Sequence, residues 1–255
     1  MILPGLVSVT FRQLTPAEIV ALVRRAGLQG IEWGGDIHVP PGDLIRAREV
    51  RGMTEAAGLA VAAYGSYYKA GHSETVGLAF QQVLDTALAL GAPVIRVWAG
   101  PAGSAETNAA TRQSVVADLQ RVAGLAAQAG VKIAAEFHGG TLNDSNDMAV
   151  RLLAEVGHAN FYSYWQPAVQ MDDAECLAGL GMIGPKLSHL HVFHWHPVRE
   201  RRPLAEGAER WALFLNRAAA VPGDRYAMLE FVEKDSPESF LNDAATLKAW
   251  LAKWV

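Results

Sequence analysis

Short apolar runs alternate along the chain with longer segments whose apolar residues recur at helical spacing. The strand-like runs read GLVSVTF, GIEWG, LAVAAYGSYY, PVIRVWAG, VKIAAEFHGG, FYSYWQP, LSHLHVFHW and YAMLEFVE. An amphipathic segment follows each of them, from TPAEIVALVRRAG after the first to SPESFLNDAATLKAWL after the last. Thr15 and Ser236 precede prolines at two of the predicted helix starts, and several of the helical segments end at glycine.

Strands that alternate with helices of this length favour a parallel sheet joined by right-handed crossovers. Eight such units are enough to close the sheet into a barrel. We therefore predict an α/β fold, a single (β/α)8 TIM barrel over residues 1–255, since no linker or low-complexity segment divides the chain. A doubly wound open sheet is the alternative, but the glycines after the first strand do not form a GxGxxG motif.

Composition narrows the classes of function. Hydrophobic residues make up 51% of the 255, which is enough for a large core. The net charge is −4 and the 22 lysines and arginines are scattered, so we expect no nucleic-acid partner and no anionic membrane surface. Cys176 is the only cysteine, which fits a reducing cytoplasm. We find neither an export signal nor a membrane span, and we expect a cytoplasmic protein.

Polar residues at the last inward-facing strand positions are the candidates for chemistry, because TIM barrels carry their sites at the carboxyl ends of the strands. Strand parity in VKIAAEFH directs Glu136 and His138 inward. The same parity directs Glu230 of YAMLEF inward, together with His189 and His191 of SHLHVF. Two glutamates and a histidine would therefore meet at the mouth of the barrel.

Such a group would be costly to bury unless a cation compensates it, and a divalent metal ion is the simplest compensation. Nitrogen and oxygen ligands suit Mn²⁺, Mg²⁺, Co²⁺ or Zn²⁺. A fourth ligand is expected from the sixth strand, FYSYWQP, where Gln166 is the inward tip. Its amide oxygen is a weaker ligand than a carboxylate.

These residues carry a resemblance to a known family. Glu136 in AAEFHGGT, Gln166 in YWQP, His191 in HLHVFHW and Glu230 in LEFVE resemble the xylose isomerase-like TIM-barrel superfamily of sugar-phosphate isomerases and epimerases. The resemblance implies one divalent metal ion held by these four residues. Gln166 stands where the superfamily usually has aspartate, so the protein ligands would carry about −2 rather than −3. An anionic substrate would be tolerated better at such a site.

Further residues near the predicted strand ends are candidates for contact with a small-molecule carbohydrate substrate. They are His38, His138, His189, His194, Arg202, Tyr67 and Trp98. Aromatic faces pack well on sugar carbons. Packed histidines, core aromatic residues and a solvated basic loop would explain the same residues without any ligand.

The paired glutamates predict the chemistry of an isomerase or epimerase acting on a small sugar or sugar derivative. Glu136 and Glu230 would act as base and acid on a proton beside a carbonyl, while the metal stabilises the enediolate. Two alternatives stay open: a dehydratase acting on a cyclic polyol or keto acid with the same metal, and a non-catalytic sugar-binding barrel with a decayed metal site. The tail LKAWLAKWV would allow a homo-oligomer, although packing of the last helix on the barrel explains it as well.

Overall fold

The computed structural model describes residues 1–254, and eight parallel strands in it form a closed barrel. The barrel strands are β1 (Ile2–Val7), β2 (Gly30–Gly34), β3 (Ala60–Lys69), β4 (Val94–Trp98), β5 (Lys132–Ala135), β6 (Phe161–Trp165), β7 (Leu187–Val192) and β10 (Arg225–Leu229). A short separate pair, β8 (His194–Trp195) and β9 (Arg201–Arg202), lies between β7 and β10 in the chain. The helices are α1 (Pro16–Ala26), α2 (Leu44–Ala56), α3 (Phe80–Leu90), α4 (Ala109–Gln128), α5 (Asn146–Val156), α6 (Asp173–Ile183), α7 (Ala208–Ala219) and α8 (Pro237–Leu251).

The predicted (β/α)8 barrel is confirmed. Strands β1 to β7 pair in chain order, and β10 closes the barrel between β7 and β1. Within β1, Gly5 lies opposite Gly30 of β2 on one side and opposite Met228 of β10 on the other. The addition to the predicted pattern is an antiparallel hairpin of β8 and β9, inserted where the sequence indicated a loop after the seventh strand.

Apolar side chains form two layers because alternate residues of a strand point to opposite faces. The outer layer lies between strands and helices and includes Leu6, Ile133 and Leu190. The inner layer lies inside the barrel, and its buried members are Val7, Val9, Ala62, Ala63, Val94, Ala134, Tyr164 and Met228. The polar residues inside the barrel therefore have apolar neighbours.

The helix ends follow the signals in the sequence. Thr15 accepts a hydrogen bond from the Glu18 amide, while Glu18 accepts one from the Thr15 amide at 2.7 Å. Gly27 ends the same helix with φ of 67°, a conformation that favours glycine. At the last helix, Ser236 caps α8, and Leu251 of the tail is buried in the outer layer, whereas Val255 lies outside the described residues.

No helix within residues 1–254 combines the length and the apolar character needed to cross a membrane.

Asp243 of α8 is a buried carboxyl that lowers stability at neutral pH. It is 5% exposed and accepts a hydrogen bond from the Leu204 amide at 2.8 Å. Burial raises the pKa of Asp243 to about 6. An unfolded aspartate ionises near pH 3.9, so the unfolded chain loses this proton first as the pH rises. The contribution of Asp243 to stability therefore falls between about pH 4 and pH 6 and stays low above that range.

We predict that Asp243→Asn raises the free energy of unfolding at pH 7.5 by about 1–2 kcal/mol, because the amide oxygen still accepts the Leu204 hydrogen bond without a buried charge. The gain should shrink toward zero near pH 4. Urea unfolding at several pH values measures it, and Asp147→Asn at an exposed position of α5 is the matched control. A gain that does not change with pH would contradict the prediction.

Candidate active site and metal centre

Four side chains meet at the carboxyl ends of neighbouring strands. Glu136, Gln166 and Glu230 each follow directly after β5, β6 and β10, and His191 lies near the end of β7. The Nδ1 atom of His191 lies 3.2 Å from Gln166 Oε1, 3.4 Å from Glu230 Oε2 and 3.7 Å from Glu136 Oε1. The structure thus brings together four of the residues that strand parity directed inward.

The spacing and chemistry of these atoms fit a divalent metal ion. In a tetrahedral shell with metal–ligand distances of about 2.1 Å, neighbouring ligand atoms are about 3.4 Å apart, close to the separations from His191 Nδ1. Glu136, His191 and Glu230 are buried, and their ligand atoms lie within 4.8 Å of one another. One imidazole nitrogen and three oxygens suit Mn²⁺, Mg²⁺, Co²⁺ or Zn²⁺. The ligand roles of the four residues stay a prediction.

A buried ion pair lies beside these donors. The Nε atom of Arg96 in β4 donates to Glu32 Oε1 of β2 at 2.6 Å, and its Nη1 atom donates to Glu136 Oε2. The indole Nε1 of Trp98 donates to the same Glu136 oxygen at 2.7 Å. Arg96 is 2% exposed and Glu32 is fully buried. With His191 neutral, as a metal ligand must be, the carboxylates of Glu32, Glu136 and Glu230 outnumber the guanidinium by two, which matches the charge of a divalent cation.

Sequence reasoning missed Arg96, although a signal was present. The strand VIRVW has one charged residue between Ile95 and Val97, and both of these belong to the outer apolar layer. Alternation therefore directs Arg96 into the barrel. An arginine buried in a strand interior needs acidic partners, and Glu32 in GIEWG has the matching inward parity.

His191 is held between carboxylates on both sides of its ring. Its Nε2 atom lies 3.5 Å from Glu32 Oε2, opposite the side that faces Glu230. Burial opposes protonation of the imidazole, but Glu230 and Glu32 outweigh burial and raise the pKa of His191 to about 10. Burial likewise opposes ionisation of Glu32, yet Arg96 and His191 hold the pKa of Glu32 well below its usual range. The centre therefore attracts positive charge.

Three of the predicted substrate contacts lie at the mouth. The ring of His138 stacks on Trp98 with centroids 4.8 Å apart, and His138 lines a cavity of about 260 Å³ together with Glu136 and Glu230. The ring of Tyr67 lies 5.4 Å from the Arg96 guanidinium carbon. His138, Trp98 and Tyr67 stay predicted substrate contacts at positions where a ligand would pass.

His38 and His189 lie elsewhere. Both ring nitrogens of His38 are within hydrogen-bond distance of partners, Ser8 Oγ at 3.0 Å and the Leu14 carbonyl at 3.2 Å. His189 precedes His191 by two residues, so it sits about 6.6 Å deeper in the barrel. Its Nδ1 atom accepts a hydrogen bond from the Tyr226 amide at 3.1 Å, and burial lowers the pKa of His189 to about 4. Neither histidine lines the mouth cavity.

The hairpin separates the predicted His194 and Arg202 from the mouth. These two residues lie opposite each other, as do Trp195 and Arg201. Trp195 lines the mouth cavity, and so does Phe231. The Arg201 guanidinium carbon lies 4.8 Å from the centroid of the Phe231 ring. Arg202 instead donates to the His196 carbonyl at 3.2 Å. Alternate residues of a strand face opposite ways, which makes Arg201 the arginine of this pair beside the mouth.

Two further features of this region escaped sequence reasoning. Arg199, in the turn of the hairpin, lines the mouth cavity. His194 lines a neighbouring cavity of about 750 Å³ between the hairpin, the segment before α6 and the start of α7. A hairpin of two-residue strands has too short a pattern to be predicted from alternation, so the position of both residues depends on tertiary structure.

The fold and this site define a (β/α)8 barrel with a candidate divalent-metal centre at the carboxyl ends of its strands. Residues 20–252 match the family of xylose isomerase-like TIM barrels, and the chain belongs to that family. The resemblance drawn from the four site residues is thereby confirmed. No protein of curated function matches the chain.

Solved structures share the fold at low sequence identity. The probable 3-DHS dehydratase AsbF from Bacillus anthracis superposes with a TM-score of 0.83 at 19% identity, covering 97% of this chain and 99% of that one. A D-psicose 3-epimerase gives 0.77 at 14% identity, covering 98% and 99%. The D-allulose 3-epimerase from Methylomonas sp. gives 0.75 at 14% identity, covering 100% and 98%. At these identities the likeness is one of fold.

We predict that Gln166→Asp tightens binding of Mn²⁺ by about tenfold, because a carboxylate adds a charge beside the same donors. Calorimetric titration of Mn²⁺ into protein purified without chelator measures the change. Gln170→Asp, which adds the same charge at an exposed position lining the cavity, is the matched control. Weaker binding by Gln166→Asp would show that the site requires an amide or that Gln166 is not a ligand.

Proposed function

We propose that the protein is a divalent-metal-dependent isomerase or epimerase of a small sugar or sugar derivative. The observation that supports this proposal most is the convergence of Glu136, Gln166, His191 and Glu230 around one point at the mouth. The cavity above them has a volume of about 260 Å³. Ligand pockets commonly range from about 300 to 1,000 Å³. This cavity lies just below that range, so it suits a single small molecule.

Glu230 is the residue we assign to proton transfer. It lines the cavity, is 6% exposed, and has His191 as its ion-pair partner among the described residues. A glutamate in this position can take a proton from a substrate carbon beside a carbonyl and return it. A bound divalent ion would supply Lewis acidity that polarises the carbonyl.

The walls of the cavity suit a carbohydrate. Phe231 and Trp195 lie with ring centroids 6.1 Å apart, and both line the cavity. Aromatic faces pack against the carbon faces of sugars, and His138 and Arg199 supply polar groups for hydroxyl or acidic oxygens. These residues would bind and orient the substrate above Glu230 and exclude water from it.

A dehydratase acting on a hydroxylated keto acid or cyclic polyol is the second candidate. Glu136 Oε2 already accepts hydrogen bonds from Arg96 and Trp98, which favours chemistry that needs only one free carboxylate. Elimination of water beside a carbonyl is chemistry of that kind. The fold likeness to a probable 3-DHS dehydratase is compatible with this candidate.

The test is hydrogen exchange in D₂O. Mn²⁺-loaded protein incubated with ketoses, cyclic polyols and hydroxy keto acids should place deuterium on the carbon beside the carbonyl of an accepted substrate, as read by NMR. Glu230→Gln should slow this exchange about 10²–10⁴-fold at saturating Mn²⁺, because proton transfer is lost. Appearance of an ultraviolet-absorbing product with loss of water would select the dehydratase.

Glu238→Gln, at an exposed position in the first turn of α8, is the matched control and should leave the exchange rate unchanged. Full activity of Glu230→Gln would remove Glu230 from the mechanism. The proposed function would be refuted if none of these substrates showed either exchange or product formation.

A further inference from the structure

The Glu32–Arg96 pair contacts two of the four converging side chains, and the proposed function gives it no role. Arg96 donates to Glu136, and Glu32 lies 3.5 Å from His191 Nε2. Both residues are buried within the barrel, where an unpartnered charge would be costly. Their contacts therefore fix the neighbouring side chains in defined orientations.

Arg96 determines which oxygen of Glu136 faces the centre. Glu136 Oε2 accepts hydrogen bonds from Arg96 Nη1 and Trp98 Nε1. A carboxylate oxygen has two lone-pair sites, so these two donors occupy Oε2. Glu136 Oε1 is the oxygen that faces His191 Nδ1, at 3.7 Å. Glu136 thus directs one oxygen at the centre and has the other fully engaged.

Glu32 determines the orientation of His191. Its Oε2 atom faces Nε2, whereas the Gln166, Glu230 and Glu136 oxygens all face Nδ1. An imidazole that binds a metal ion must give up one proton, and the neutral ring then carries one N–H group. If Nε2 carries it and donates to Glu32, the lone pair of Nδ1 points at the centre, as in other carboxylate–histidine–metal arrangements.

We propose that Glu32 and Arg96 are positioning residues, which fix His191 and Glu136 as metal ligands and leave Glu230 as the one carboxylate at the centre free to move a proton. The proposal rests on the proposed function and narrows it from an isomerase or epimerase to one-base chemistry, which is isomerisation or loss of water. The C–H bond beside the carbonyl breaks, its proton goes to Glu230, and the electron pair remains on the substrate as an enolate.

Two outcomes complete that step. In the first, Glu230 returns the proton to the former carbonyl carbon while the proton of the adjacent hydroxyl passes to the former carbonyl oxygen, which isomerises the substrate. In the second, a hydroxyl on the next carbon leaves with the proton from Glu230 as water, and a carbon–carbon double bond forms. Inversion of one carbon by two opposed carboxylates is not available, because Glu136 is committed to its hydrogen bonds and to the centre. The substrate class is accordingly one that isomerises or dehydrates on a single face.

Metal affinity tests the positioning role without any substrate. Arg96→Lys, which keeps the charge but cannot bridge both carboxylates as the guanidinium does, and Glu32→Gln should each weaken Mn²⁺ binding about 10–100-fold, the cost that is typical of losing a partner of a metal ligand. Arg225→Lys is the matched control, because Arg225 is also a 2%-exposed arginine on a barrel strand but donates to the backbone carbonyls of residues 221–223. Its Mn²⁺ affinity should equal that of the unaltered protein.

Glu32→Gln preserves the size of the side chain, so it tests the positioning role even if Arg96→Lys does not fold. Unchanged Mn²⁺ affinity in a folded Glu32→Gln variant would overturn the positioning proposal and leave the proposed function standing. Failure of the unaltered protein to bind Mn²⁺ would overturn the proposed function and the proposal with it. The two failures are therefore distinguishable.

The tautomer of the His191 imidazole is a second measurement, and a merely structural role of Glu32 would not determine it. In Zn²⁺-loaded protein with ¹⁵N-labelled histidine, two-bond ¹⁵N–¹H spectra should show His191 with Nδ1 coordinated and Nε2 protonated, with the signals assigned by their loss in His191→Gln. Coordination through Nε2 would overturn the proposal.

The one-base role is tested with the accepted substrate. Per bound Mn²⁺, Glu136→Gln should retain hydrogen exchange within about tenfold, whereas Glu230→Gln should lose about 10²–10⁴-fold. Equal losses in the two variants would overturn the one-base part of the proposal.

Discussion

A guanidinium held between two carboxylates inside the barrel is the interaction on which the rest of the site depends. Glu32, Glu136 and Glu230 are all buried around His191, and burying three carboxylates together is prohibitive unless cations and hydrogen bonds compensate them. Arg96 of β4 supplies one such charge, because it pairs with Glu32 of β2 on one side and with Glu136 after β5 on the other. The spacing of the donors at the mouth therefore depends on a residue that lines no part of the cavity.

Apolar side chains inside the barrel strengthen this interaction. Val7 is the register partner of Glu32 and Met228 is that of His191, and both side chains belong to the buried inner layer. Charged hydrogen bonds in such surroundings are strong when all partners are present and costly when one is missing. The fold thus joins two requirements, a packed barrel interior and buried charges that must be matched.

Strand parity was the most informative property of the sequence. A strict period of two placed the side chains of Glu136, Gln166, His191 and Glu230 inward, and the structure brings these four together. Parity gives the face of a strand and the position along the strand gives the height, so His189 shares the parity of His191 but packs below it. Alternation could also have indicated Arg96. The hairpin could not be predicted, because its strands of two residues carry no usable pattern.

Gln166 and Arg96 change the charge of the centre in the same direction. The Gln166 amide Nε2 donates to the Phe137 carbonyl at 2.8 Å, which directs Oε1 toward His191; a carboxylate reaching the same point could not donate that bond. The backbone at the end of β5 therefore favours an amide where the family usually has an acid. With an amide here and a guanidinium beneath, a divalent cation would bring the formal charge of the centre to zero. In the proposed reaction, negative charge that develops on the substrate during proton removal would then meet no excess of carboxylates.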